Sequence, residues 1–263
     1  MGAPPPVSEI LAGRRIVVTR PAAQAEAFCT LLERAGASVL RFPVIEIRDP
    51  RHPEALHELL TTLDRIDLAV FVSANAVERF VPRVLAKGPW PASLRIGAIG
   101  ARTALALAEM GTPADIVPAE RFDSETLLTE PALQTVHGWK VVIVRGEGGR
   151  EHLADSLRAR GAEVAYAEVY RRAVPEIDAS VLGSELRAGR IDAITVTSAE
   201  SLRNLEAMIV AADRDALLNT ALVVGAERVA EHARELGFRG PIVAATDPTD
   251  AAIFEALRAL LKD

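Results

Sequence analysis

Ile66-Asp67-Leu68-Ala69-Val70-Phe71-Val72-Ser73-Ala74 and Ile191-Asp192-Ala193-Ile194-Thr195-Val196-Thr197-Ser198-Ala199 decide the fold. Each is a strand-length apolar run that ends in a serine where a helix pattern begins. Ser198 follows Ser73 by 125 positions, and the same offset separates Arg20 from Arg145 and Gly100 from Gly225. The two arginines end matching runs, Arg15-Ile16-Val17-Val18-Thr19-Arg20 and Lys140-Val141-Val142-Ile143-Val144-Arg145. Leu31-Leu32-Glu33-Arg34-Ala35-Gly36-Ala37 is echoed by Ser156-Leu157-Arg158-Ala159-Arg160-Gly161-Ala162, and Gly111 and Gly237 slip by one to an offset of 126. Chance does not hold an offset over so many elements, so the chain contains an internal repeat.

In the first repeat the pattern predicts strands at 15–19, 38–42, 68–72, 95–99 and 115–117. It predicts helices at 22–35, 53–63, 75–86, 101–110 and 123–129. Alternating βα units with mostly apolar strands point to a parallel sheet covered on both faces. Gly36, Gly111, Gly161 and Gly237 fall at helix ends, where glycine caps easily. The second repeat runs the same course from Lys140 to Leu261. After the second strand of each repeat comes an extended segment, Phe42-Pro43-Val44-Ile45-Glu46-Ile47 and Ala167-Glu168-Val169-Tyr170-Arg171-Arg172. If the chain crosses between lobes at both, one lobe is 1–43 plus 173–263 and the other is 46–168, with linkers at about 43–47 and 168–172. Two consecutive lobes are the alternative.

A chain of 263 residues suits two domains, and 49% hydrophobic residues supply cores that need no disulfide or structural metal. Thirty Lys and Arg against 36 Asp and Glu, a net charge of −6, exclude a generally basic nucleic-acid coat but leave room for a local basic patch. The lone cysteine, Cys29, excludes a disulfide framework and a thiolate cluster; it reads as a small core residue of a helix. The five histidines lack metal-ligand spacing and read as surface groups or caps. Met1 to Ser8 has neither a basic start nor a long apolar run, so it reads as a frayed tail. The longest apolar runs are strand-length. The cytoplasm is the expected compartment, with no membrane and no nucleic-acid partner.

In open α/β sheets ligands sit beyond the carboxyl ends of the strands. Arg20 and Arg145 lie there, at helix starts, either to meet an anion together with helix N–H groups or to pair with solvent or a local carboxylate. Ser73 and Ser198 read as helix caps, which leaves the neighbouring N–H groups open to a carboxylate. Gly100-Ala101-Arg102-Thr103-Ala104 and Gly225-Ala226-Glu227-Arg228-Val229 open another matched pair of helices. Gly146-Glu147-Gly148-Gly149-Arg150 allows close backbone approach, but it fits neither the dinucleotide fingerprint nor a Walker A loop. Neither serine lies in a G-x-S-x-G turn. Tyr170, between Tyr166 and the Arg171-Arg172 pair, is either a hydrogen-bond donor or an aromatic plug.

Taken in order, Val18-Thr19-Arg20-Pro21, Phe42-Pro43, Phe71-Val72-Ser73-Ala74-Asn75-Ala76-Val77, Ile99-Gly100-Ala101-Arg102-Thr103-Ala104, Ser124-Glu125-Thr126-Leu127-Leu128, Val144-Arg145-Gly146, Val169-Tyr170-Arg171-Arg172 and Thr197-Ser198-Ala199-Glu200-Ser201-Leu202 resemble the uroporphyrinogen-III synthase family. The resemblance runs from about Leu11 to Leu261. It implies an α/β fold of two similar lobes, with parallel, flavodoxin-like sheets, a two-stranded linker and the substrate in the cleft. It also implies a cyclising carbon–oxygen lyase acting on hydroxymethylbilane, a monomer that receives its substrate from hydroxymethylbilane synthase and uses no metal or cofactor. By the same resemblance Tyr170 is the catalytic side chain, and Arg20, Ser73, Asn75, Arg102, Thr103, Arg145, Gly146, Ser198, Ala199, Glu200 and Arg228 bind substrate. One stretch departs from the family: Gly225-Ala226-Glu227-Arg228 stands where a hydroxyl-rich turn is often found, putting a carboxylate near an anionic substrate. The alternative from another class is a two-lobed cytoplasmic module that binds a small molecule without turnover.

Overall fold

The computed structural model describes residues 10–118, 124–149 and 151–262; the tail predicted at Met1 to Ser8 lies outside them. The chain divides into two compact units, Met1–Glu46 with Ala173–Asp263, and Ile47–Arg172. It runs β1 (Arg15–Val18), α1 (Ala22–Arg34), β2 (Ser38–Arg41), β3 (Glu46–Arg48), α2 (Pro53–Leu59), β4 (Leu68–Phe71), α3 (Ala74–Leu85), β5 (Arg95–Ala98) and α4 (Ala101–Glu109). Then follow α5 (Ser124–Leu127), α6 (Pro131–Gln134), β6 (Lys140–Gly146), α7 (His152–Ala159) and β7 (Glu163–Ala173). The remainder is α8 (Ser180–Arg187), β8 (Ala193–Val196), α9 (Ala199–Met208), α10 (Arg214–Asn219), β9 (Leu222–Val224), α11 (Glu227–Glu235), β10 (Ile242–Ala244) and α12 (Asp250–Leu260). No helix among the described residues is long and apolar enough to cross a membrane.

The strands form two five-stranded sheets, β10-β9-β8-β1-β2 and β3-β7-β6-β4-β5. In the first, β1 pairs in parallel with β2 and β8, and β9 with β8 and β10. In the second, β4 pairs in parallel with β5 and β6, and β6 with β7. All four residues of β4 and of β8 are buried, as expected of strands covered on both faces.

In the unit Ile47–Arg172 the strand period sorts side chains into two cores. Ala69, Phe71, Val142, Val144, Ala167 and Val169 pack on one face of the sheet with Val77, Phe80 and Leu107. Leu68, Val70, Val141 and Ile143 pack on the other with Leu127, Leu133 and Leu157. Successive strand residues point to opposite faces, so each run fills both. In the other unit Ile16 and Val18 pack with Phe28, Leu32 and Leu257. Buried Thr19 and Thr195 there donate their hydroxyls across the ladder, to Thr195 O at 2.7 Å and Val17 O at 3.1 Å.

The structure departs from the sequence reading in three places. The helix predicted over 53–63 ends at Leu59, and a 3-10 turn follows at Leu63–Arg65. The Thr61 and Thr62 hydroxyls donate to the Glu58 and Leu59 carbonyls at 2.7 and 3.2 Å, offering the backbone an alternative to the helical ladder. The strand predicted at 115–117 is a single bridge, Gly97 to Ile116. There the Asp115 carboxylate accepts the Ile96 N–H at 2.7 Å, a donor a strand neighbour would otherwise use. The helix predicted over 123–129 is α5 at Ser124–Leu127, with position 123 outside the described residues and Pro131 opening α6. Residues 168–172, the second expected linker segment, belong to β7, and β7 neighbours β3 in the sheet.

Phe71, Phe80 and Trp90 form an aromatic group under the C-terminal end of β4, with ring centroids 5.7 to 6.5 Å apart. Phe71→Ala should lower the unfolding free energy by about 3–5 kcal/mol, the cost of deleting a buried phenylalanine. Urea unfolding of the variant and the parent chain measures it; a loss below about 1 kcal/mol would mean that the site collapses onto the gap.

Candidate functional site

In the unit Ile47–Arg172 the parallel ladder ends β4, β5 and β6 along one edge. Ser73 follows β4 with extended backbone, φ −162° and ψ 159°, and its Oγ accepts the Ala76 N–H at 3.2 Å to cap α3. The same Oγ lies 3.2 Å from the Tyr170 hydroxyl. Asn75 is the second residue of α3 and half-buried. Gly100 precedes α4, where Arg102 is exposed and Thr103 buried.

Tyr170 reaches Ser73 because of an irregularity in the sheet. Along β6–β7 the register runs from Lys140↔Glu163 to Arg145↔Glu168 and then jumps to Gly146↔Tyr170. Val169 is the extra residue of this bulge. Regular alternation sets Val169 and Tyr170 on opposite faces; the bulge returns both to the face of Phe71 and Phe80. Gly146 makes the bed for the ring: a Cβ there would lie 2.6 and 2.7 Å from Cε2 and Cζ of Tyr170. The Glu147 N–H donates to the Tyr170 carbonyl at 2.7 Å. Tyr170 is 3% exposed: its ring is part of the core and its hydroxyl lies within hydrogen-bond distance of Ser73 Oγ, where either oxygen can donate.

Arg145 belongs to the other face of this sheet, where alternation sets it beside Glu168 and Tyr166. Its guanidinium donates to Glu151 at 3.0 Å and Glu168 at 3.2 Å, and its centre lies 3.6 Å from the centroid of the Tyr166 ring. The structure pairs Arg145 with both carboxylates, so its buried cation is balanced locally. The Tyr166 hydroxyl donates to the second Glu151 oxygen. That bond, then Arg145, holds the Glu151 carboxyl below its ordinary range, while burial and then the Glu151 bond push the Tyr166 phenol up. Glu151, Tyr166 and Glu168 were not singled out from sequence; the one available signal is that Glu168 stands two positions from Tyr166, on one strand face.

In the unit Met1–Glu46 with Ala173–Asp263, Arg20 follows β1. Its guanidinium pairs with Asp250, donates to the Pro248 carbonyl at 3.0 Å and stands 5.0 Å from the Phe28 ring centroid. Ser198 mirrors Ser73 as a cap: its Oγ accepts the Ser201 N–H of α9 at 3.0 Å and lies 2.9 Å from the Ser201 hydroxyl. Ala199 and Glu200 form the first turn of α9, half-buried. An open depression of ≈ 360 Å³ is lined by Ser198, Ala199, Arg203, Arg228, Glu231, His232 and Glu235. Arg203 and His232 were also missed; they stand four positions after Ala199 and Arg228, one helical turn on. Glu227, the carboxylate of the departing stretch, is engaged by Arg234 at 3.0 Å. Arg102, Arg171 and Arg228 meet no carboxylate among the described residues. Cys29 is buried in α1, which pushes its thiol up.

Residues 26–255 match the family model for Uroporphyrinogen-III synthase HemD. The chain is 36% identical over 240 residues to the uroporphyrinogen-III synthase of Salmonella typhimurium, covering 90% of this chain and 98% of that protein. It is 36% identical over 241 residues to that of Escherichia coli, with the same coverage, 90% and 98%. Among solved structures, a mutant uroporphyrinogen III synthase of Thermus thermophilus matches with a TM-score of 0.62 at 24% identity, over 94% of this chain and 98% of that one. The uroporphyrinogen-III synthetase of Helicobacter pylori matches at 0.58 and 16% identity, over 94% and 99%. At those identities the likeness is one of fold.

The Arg145 cluster makes stability depend on acid. A carboxyl held low in the folded state stabilises it above the ordinary glutamate value and loses that contribution as the pH falls through the lowered one. Urea unfolding on acidification from neutrality through the ordinary value of 4.5 should therefore show a loss to which Glu151 contributes. Tyr166→Phe removes the largest cause of the shift and should flatten that loss. Equal acid slopes in the two proteins would show that the Tyr166 hydroxyl does not hold Glu151.

Proposed function

Because the chain belongs to the uroporphyrinogen-III synthase family, we propose that it closes linear hydroxymethylbilane to uroporphyrinogen III, with loss of water and inversion of ring D. The hydroxymethyl C–O bond breaks and the oxygen leaves as water, giving an azafulvene. Ring D attacks through its substituted carbon to form a spiro intermediate, which fragments and recloses with ring D inverted. Ring closure in free solution tends to the non-inverted isomer, so the protein's task is to fold the bilane and hold ring D more than to supply a nucleophile. The observation that carries the reading, beside family membership, is the strand-end pair of Ser73 and Tyr170 hydroxyls over Gly146.

Tyr170 is the proposed catalytic side chain, a donor to the leaving hydroxyl. A phenol is a good hydrogen-bond donor when its geometry is fixed. The pyrrole nitrogen shares the work by stabilising the cation. Ser73, Asn75, Arg102, Thr103, Gly146, Ser198, Ala199, Glu200 and Arg228 are proposed to bind substrate. Helix-start N–H groups and uncommitted guanidinium forks suit a substrate that carries eight carboxylates. Arg102 and Arg228 are the side chains best placed for this, being exposed and unmatched by carboxylates among the described residues. Arg20 and Arg145 already hold Asp250 and the Glu151–Glu168 pair, so their part is to brace the strand ends, with substrate contact only by exchange of partners.

The strand orders support a duplicated architecture. Shifted by the repeat offset, β6, β7, β4, β5 and the Ile116 bridge correspond to β1, β2, β8, β9 and β10. Both sheets then place the second element beside the first and the first beside the third, the flavodoxin-like order. The two compact units support the reading that each is assembled from parts of both repeats, with crossings at about 43–47 and 168–172.

The protein given hydroxymethylbilane, with no added cofactor, should yield the type III isomer after oxidation and separation of the products. Type I alone, at the rate seen in buffer, overturns the reading. Tyr170→Phe should lower kcat by about 10²-fold or less, the low end of general-acid help, while still giving type III. Full kcat in that variant would leave Tyr170 as a core ring with no part in the chemistry.

A further inference from the structure

Resting on the reading above, we infer that Ser73 is the positioning residue of Tyr170: it holds the phenol proton at rest and donates to the phenol oxygen when that proton turns to the substrate. The Ser73 Oγ already accepts one N–H, from Ala76 at 3.2 Å. A hydroxyl has two acceptor sites and one proton, so one acceptor site and the proton remain for the Tyr170 hydroxyl at 3.2 Å. A phenol is the better donor of the two, so in the free protein Tyr170 donates to Ser73. When a substrate hydroxyl approaches, the phenol proton turns outward and the serine proton takes its place on the phenol oxygen. The Ala76 N–H polarises the serine and strengthens that bond.

The protons balance without the serine losing its own. The C–O bond breaks, the departing oxygen takes the Tyr170 proton and leaves as water, and the pyrrole nitrogen lone pair fills in behind it. The phenolate that develops is held by the Ser73 O–H. The proton released when ring closure restores pyrrole aromaticity returns to Tyr170. The geometry leaves the phenol little freedom to find another orienter. The ring is wedged against the Gly146 backbone, and its oxygen is aimed at the start of α3 by the bulge at Val169. Ser198, the matching cap in the other unit, has Ser201 as its hydroxyl neighbour and so serves a different purpose.

A cycle of Ser73→Ala and Tyr170→Phe, each alone and together, tests this with hydroxymethylbilane as substrate. Ser73→Ala in the parent chain should lower kcat about tenfold, the worth of one hydrogen bond to a developing charge. In the Tyr170→Phe background the same change should lower kcat far less than tenfold, because no phenol oxygen remains to be served and the substrate contact of Ser73 is read in KM. Loss of the α3 cap alone would weaken both backgrounds equally, and urea unfolding reports that loss separately. Ser73→Thr, which keeps both hydroxyl and cap, should restore most of kcat. An equal fall in kcat in the two backgrounds, or a fall confined to KM, overturns the positioning role while the parent chain still forms type III. A parent chain that forms no type III overturns the functional reading and this inference with it.

Discussion

The β4–β6 ladder sets where Ser73, Arg145 and Gly146 stand. Its four parallel rungs, from Leu68↔Val141 to Phe71↔Val144, join segments that lie 73 residues apart in the chain. Parallel strands cannot be joined by a tight hairpin, so helices cross over and β4, β5 and β6 end at the same edge. At that edge the ladder delivers Ser73 from one segment and Gly146 from the other. The β1–β8 ladder, from Ile16↔Ala193 to Val18↔Thr195, plays the same part in the other unit and delivers Arg20 and Ser198.

Once the ladder is set, alternation divides the labour between the faces. Gly146 shares a face with Val142 and Val144, and the missing side chain becomes room for a phenol ring. Arg145, one residue earlier, goes to the opposite face. There its charge is buried, and a buried charge without partners is costly. Glu151, Glu168 and the Tyr166 ring surround it. Arg20 is treated in the same way by Asp250, the Pro248 carbonyl and Phe28. Desolvation thus separates two classes of arginine: those beside a strand end are paired by the protein, and those on helix starts, Arg102 and Arg228, stay exposed. For a chain of net charge −6, exposed cations with no carboxylate partner among the described residues matter more to an anionic ligand than the total.

The sequence by itself determined the order of strands and helices, the parallel sheets and the two caps. An apolar run reports burial, a repeated run reports a repeated environment, and a serine before a helix reports an unsatisfied N–H; all three are local. It also held the resemblance that the family match made firm. Short-range competition it showed poorly: the threonine hydroxyls that end α2 and the Asp115 carboxylate that limits the strand at Ile116 act through single hydrogen bonds that leave no period. Tertiary structure alone decided what the strand-end side chains meet. Whether Arg145 meets an anion or a carboxylate depends on Glu168, 23 residues on, and Tyr170 meets Ser73 across 97 residues only because the β6–β7 register slips at Val169. A bulge changes which face a side chain occupies without changing the residue, so the hydroxyl pair exists only once the strands have paired.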